Sequence, residues 1–95
     1  MGFFSFLKRK KTDPFAGRRE HLLEHGRITD GMIIDTETKP NGDEIVFYVY
    51  SLNGVDFESS ELLSEEQRSD PLKFAPGAKV AIRYDSRNQG NSTLA

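Results

Sequence analysis

Residues 21–25, His21-Leu22-Leu23-Glu24-His25, fit the H-x-x-E-H pattern of one class of zinc peptidases. On a helix, a spacing of four brings both imidazoles to one face, as shared coordination of a zinc ion requires. Three features weigh against that chemistry. His25 stands against a helix end expected at Gly26, and a third protein ligand must come from acids that sit mostly in strands and turns. A peptidase also needs a substrate cleft, and 95 residues leave little room for one. The pattern therefore reads as a polar helix face around a Leu22/Leu23 contact, with no metal assigned.

Other chemistry-bearing groups are weaker. Ser59, Ser60 and Ser64 have no obvious base, because the only two histidines lie on the helix. Glu65, Glu66 and Asp85 read as solvated loop charges rather than an acid–base pair. Gly17, Gly26 and Gly31 are scattered, not spaced as a phosphate-binding loop. No cysteine is present, which removes disulfides, thiolate metal sites and thiol catalysis together. The expectation is a protein that is not an enzyme and holds no cofactor.

One aromatic group remains. Phe47, Tyr48, Tyr50 and Phe57 could form a base-stacking platform on a small barrel, with Tyr48 and Tyr50 as the stacking residues. Charge argues against it. Residues 1–26 carry six Lys/Arg against three acids, and residues 27–95 carry seven against twelve, a basic head on an acidic body. Nucleic-acid affinity comes largely from neutralising phosphates, and a −5 body is poorly suited to that.

The elements that would position these residues follow from local signals. Asp13 can cap a helix and Pro14 suits its first position. Phe15, Arg19, Leu22 and Leu23 recur at helical spacing, and Gly26 fits a left-handed residue just past the end. This predicts a helix over 14–25, weakened by Gly17. Beyond it the period becomes two. "RITDGMIIDTE" places Ile28, Met32 and Ile34 on one face, with Gly31 as a bulge. "EIVFYVYSL" is apolar on both faces, as a central strand covered on both sides would be. Asn53-Gly54 is a type I′ hairpin signal that pairs Leu52 with Val55 and Tyr50 with Phe57. Ser64 and Gln67 suggest a capped helical turn at about 64–68. Pro76-Gly77 turns the chain into a half-buried strand on Val80, Ile82 and Tyr84, and "STLA" supplies a short last strand.

The predicted fold is mainly β: a small five-stranded antiparallel barrel, OB-like or SH3-like, with one N-terminal helix. Residues 1–12 form an apolar and basic tail, and 13–95 a single small domain with its barrel at about 27–95.

The stretch "FAPGAKVAIRYDSRNQGNSTL" resembles the signature of a widespread bacterial domain-of-unknown-function family. Members of that family end in a Pro-Gly turn, a strand closing on Arg-Tyr-Asp-Pro, then Asn-Pro and a short strand. "LLEHGRITDGMIIDTE" and "VFYVYSLNGVDFES" resemble its first strand and central hairpin, so the resemblance spans about residues 20–95. Ser86 and Gln89 replace the usual prolines, while Asn88, Asn91 and Ser92 keep the pattern. The family has no assigned chemistry. Its members commonly sit beside transmembrane segments, which implies association with the bacterial envelope.

In "MGFFSFLKRKK", Phe3, Phe4, Phe6 and Leu7 precede Lys8, Arg9, Lys10 and Lys11. A secretory signal has the opposite order, and no stretch approaches the roughly 18 apolar residues of a span. Rings that enter the lipid interface while cations meet anionic headgroups would make these eight residues a membrane-surface contact. The resulting expectation is a non-catalytic protein-interaction or adaptor module, cytoplasmic and peripheral on the inner membrane, with an unidentified protein partner. The alternative is an OB-like single-stranded nucleic-acid binder.

Overall fold

Pro14 opens the first helix, α1 (Pro14–His25), at the expected place. A computed structural model describes residues 14–95, and their side chains from Gly17 onward. The capping role expected of Asp13, the side chain of Phe15 and the whole 1–12 tail lie outside the described residues. Leu22 is the buried anchor of α1, and His21, Glu24 and His25 are exposed. Gly26 ends the helix, its N–H donating to Leu22 O at 2.8 Å. It is not in the left-handed region that the sequence suggests. Space dictates the glycine instead: a Cβ there would lie 2.5 Å from Leu22 O and 3.1 Å from Tyr84 O.

Strand β1 (Arg27–Thr38) follows directly. Ile28, Met32 and Ile34, read as one face, lie on its outer side. Ile33 is fully buried, whereas Ile28, Met32 and Ile34 are 60%, 42% and 38% exposed. Gly31 sets this phase. It faces inward, where a Cβ would come within 2.7 Å of Ile82 Cγ1 and 2.9 Å of Val49 O, so only glycine fits. The bulge lies three residues later than predicted, between Ile33 and Asp35, with Ile34 as the extra residue.

Strands β2 (Glu44–Leu52) and β3 (Val55–Leu62) form the hairpin read from Asn53-Gly54. Both turn residues have positive φ, 53° and 81°, as a type I′ turn needs. Leu52 pairs with Val55 and Tyr50 with Phe57, as expected. The short helix α2 (Glu65–Arg68) carries the full capping box between Ser64 and Gln67. A 3-10 turn at Pro71–Phe74, not anticipated, buries Phe74. Strands β4 (Lys79–Tyr84) and β5 (Ser92–Leu94) complete the set, and every residue of β5 is buried.

The five strands are antiparallel in the order β3-β2-β1-β4-β5. The first three make a meander, but the fourth returns across to β1 instead of continuing beside β3. With β3 and β5 brought together, the cycle is 1-2-3-5-4, the Greek-key connectivity of OB-type barrels and not the SH3 order. The barrel is nearly closed. A carboxylate bridges the remaining edges: Glu61 Oε1 on β3 accepts from the backbone N–H of Leu94 at 3.2 Å and from the Thr93 hydroxyl, both on β5. Inside lie Ile33, Val46, Tyr48, Tyr50, Leu52, Leu63, Phe74, Ile82 and Leu94. Helix α1 packs on β4 and β5. There Arg18 donates to Asn91 Oδ1 at 2.6 Å, and Arg19 Nε faces Glu61 Oε2 at 3.6 Å.

Candidate functional site

The helix histidines come together but enclose nothing. The rings of His21 and His25 are 4.9 Å apart, and Glu24 Oε2 lies 3.4 Å from His25 Nε2. All three side chains point to solvent from the last turns of α1. Among the described residues, no group of three or more His, Asp or Glu is arranged to hold a metal ion.

Tyr48 and Tyr50 are displaced from the role the sequence offers them. Their relative exposures are 0% and 2%, because Val46, Tyr48 and Tyr50 share the inward phase of β2. Tyr50 stacks on Phe57 and Tyr84, with ring centroids 5.4 Å and 6.4 Å away, and its hydroxyl donates to Gln89 O at 2.5 Å. The hydroxyls of Tyr48 and Ser92 share a hydrogen bond at 2.9 Å. Burial pushes the Tyr48 hydroxyl above its ordinary pKa, offset in part by hydrogen bonds from Ser92 and Ser59. A stacking residue must offer an open ring face, and these two rings are packed inside the barrel.

Ser64 and Asp85, two of the groups weighed for catalysis, serve local structure, as does Ser69. Ser64 Oγ accepts from the Gln67 N–H at 3.2 Å, the hydroxyl of Ser69 donates to Glu66 O at 2.6 Å, and Asp85 Oδ1 accepts from Arg87 N–H at 2.8 Å. A shallow groove of about 700 Å³ runs between Arg19, the end of β3, α2 and Lys73. Ser64, Gln67 and Ser69 line it together with Leu62, Leu63, Glu66 and Asp70.

The outer face of β1–β2–β3 is different. Register places three rows across it: Met32–Val49–Glu58, Asp35–Phe47–Ser60 and Glu37–Ile45–Leu62. The bulge inserts Ile34 between the first two rows. Ile45, Phe47 and Val49 are half-buried by their neighbours, while Met32, Ile34 and Leu62 are 42%, 38% and 52% exposed. These six apolar side chains make a contiguous strip. Exposed carboxylates flank it at Asp30, Asp35, Glu37, Asp56 and Glu58. Neither β2 nor β3 contains a Lys, Arg or His; the exposed Lys79 of β4, paired with Met32, is a cation at the β4 edge of the strip. Contiguous apolar surface rimmed by charge is what interaction sites look like.

Sequence reading missed this site, although a signal was present. β2 is apolar on both faces, and its outer face was expected to be covered. The helical elements pack elsewhere, α1 on β4 and β5 and the 3-10 turn on β4. The eight head residues expected to touch a membrane, Phe3 through Lys11 without Ser5, lie outside the described residues. No helix among the described residues is long and apolar enough to cross a membrane. Compared with protein-family models, curated proteins and solved structures, the chain has no match.

Proposed function

We propose that this chain is a non-catalytic protein-interaction module, an adaptor whose contact surface is the outer face of β1–β2–β3. The observation that carries the reading is the pairing of the Met32–Ile34–Phe47–Val49 strip with a carboxylate rim that contains no cation from β2 or β3. Such a face suits a partner segment that is itself apolar and basic. The resemblance of residues 20–95 to a bacterial family found beside membrane spans supports a position at the inner membrane. The order of rings and cations in the head supports it too. Affinity capture from native cells tests the reading, using wild type and a Met32→Lys/Ile34→Lys variant with an unchanged urea midpoint. A partner held by the first and lost by the second is expected. Equal capture would overturn the proposal, as would reproducible turnover of a defined substrate that is abolished by changing Lys73 in the groove.

A second reading, single-stranded nucleic-acid binding, has one observation in its favour: the OB-type strand order. The inward rings of Tyr48 and Tyr50 and the acidic outer face oppose it. Fluorescence anisotropy with single-stranded DNA and RNA at low salt discriminates. Micromolar, steeply salt-dependent binding would favour the second reading over the first.

A further inference from the structure

We infer that the outer face of β1–β2–β3 is occupied in the resting protein by residues 1–11 of the same chain, which act as an intramolecular ligand and mask it from other partners. This rests on the reading of that face as an interaction surface and adds what regulates it.

Complementarity carries the inference. The face offers an apolar strip about three strands wide, with five exposed carboxylates around it and Lys79 at its β4 edge. The head offers three phenylalanines and a leucine followed by four consecutive cations. No other segment of the chain has that composition. Residues 27–95 carry seven cations, with no two adjacent in sequence. Rings on the strip and cations on the rim would satisfy both halves at once, and the rim charges, sitting beside low-dielectric surface, attract the cations more strongly than isolated ones would.

Reach permits it. Helix α1 has 12 residues, about 18 Å of length, and runs into β1 through Gly26. From Gly26 to Met32 along the strand is roughly 20 Å. The path from Pro14 to the strip is thus at most about 38 Å, and the straight line is shorter. Phe3 precedes Pro14 by eleven residues, which extend to roughly 36–40 Å. Phe3 can therefore reach the Met32 end of the strip of its own chain, with Lys8 to Lys11 following on the Pro14 side, without any change in the described fold.

The chain has no cysteine, so a single one can be placed at will. In the full chain, Ser5→Cys carrying a nitroxide label should broaden the backbone amide signals of Met32, Ile34, Phe47 and Val49. The signal of Arg87, in the loop after β4, should be spared. Adding Met32→Lys/Ile34→Lys to the labelled chain should abolish the broadening, while the spectrum remains that of the folded barrel. Broadening that is absent or uniform over the surface would overturn the inference. So would broadening of an unlabelled ¹⁵N chain by a labelled ¹⁴N chain, because the occupant would then be a second copy. If broadening is absent but the double lysine variant still loses partner capture, the face is an interaction surface and only the masking fails. If both effects are absent, the reading of the face fails with it.

Discussion

Glu61 on β3 and Leu94 on β5 are joined by a carboxylate-to-backbone hydrogen bond of 3.2 Å, across the gap where the barrel would otherwise stay open. The same Oε1 accepts from the Thr93 hydroxyl, and Oε2, buried and without a hydrogen bond, faces Arg19 Nε at 3.6 Å. One side chain thus ties together two sheet edges and the covering helix. Charge-assisted bonds of this kind are stronger than neutral ones, and removing the acceptor leaves buried donors unpaired. Glu61→Ala should lower unfolding free energy by about 2–4 kcal/mol. Glu61→Gln keeps one acceptor and should cost roughly half as much. Urea unfolding with an unchanged slope measures both. An alanine variant as stable as wild type would mean the gap is held by something other than Glu61.

Glycine supplies a contrast within one chain. Gly31→Ala must push against Ile82 Cγ1 at 2.7 Å and the Val49 carbonyl at 2.9 Å, and overpacking of this kind costs about 1–3 kcal/mol. Gly17 sits exposed in α1 with nothing within 4 Å of an added Cβ. Gly17→Ala should therefore stabilise by about 0.5–1 kcal/mol, through helix propensity alone. Thermal midpoints that move in opposite directions are the expected result. A shift of the same sign at both positions would contradict the inward placement of Gly31.

Strand β1 shows both what was legible and what was not. Its existence, its length and its place before the central hairpin can be read from period-two patterning and turn residues. So can the hairpin register, because Asn53-Gly54 fixes it locally. The phase of β1 cannot. Apolar residues occupy both parities there, and Gly31 decides between them through contact with Ile82, some fifty residues away in sequence. The candidate site depends on that phase, which period-two patterning alone leaves open. The closing role of Glu61 is hidden for the same reason: an acid in a strand looks like a solvated charge until its partners arrive from β5. The prediction is direct. Ile33→Ala should cost about 2–4 kcal/mol, whereas Met32→Lys/Ile34→Lys should change stability by less than about 1 kcal/mol. Comparable losses in the two variants would contradict the inward placement of Ile33.

The Tyr48 hydroxyl gives a pH signature. Its pKa in the folded protein is raised, first by burial and then by the charge of Glu61, against the ordinary value near 10. Below the unfolded value both states are neutral, and the stability is fully present. As pH rises past about 10 the unfolded chain loses its proton first, so stability falls until the folded pKa is reached. Tyr48→Phe removes this loss. At neutral pH it should be the less stable protein by about 1 kcal/mol, since the Ser92 hydroxyl loses its partner. Urea midpoints at roughly pH 9 and pH 11 should show the gap between the two proteins narrowing. A gap that stays constant would place Tyr48 in contact with water.

The head offers the last expectation. Each of Lys8, Arg9, Lys10 and Lys11 should contribute about 1 kcal/mol near an anionic bilayer, and the rings of Phe3, Phe4 and Phe6 can enter the interface beside them. The segment is too short to span, and Phe6 stands where the myristoylation pattern wants Ser or Thr. Binding to anionic vesicles should therefore be weak and should fall as salt rises, because screening shortens the reach of the cations. If the same residues rest on the outer face of β1–β2–β3, vesicles must compete with that face. The Met32→Lys/Ile34→Lys variant, with its head released, should then bind the vesicles more tightly than wild type. Deleting residues 1–11 should abolish binding while leaving the unfolding midpoint of the barrel close to that of the double variant. Co-sedimentation with vesicles of graded anionic content measures all three proteins, and equal sedimentation of full-length and shortened chains would remove the head from any role at the membrane.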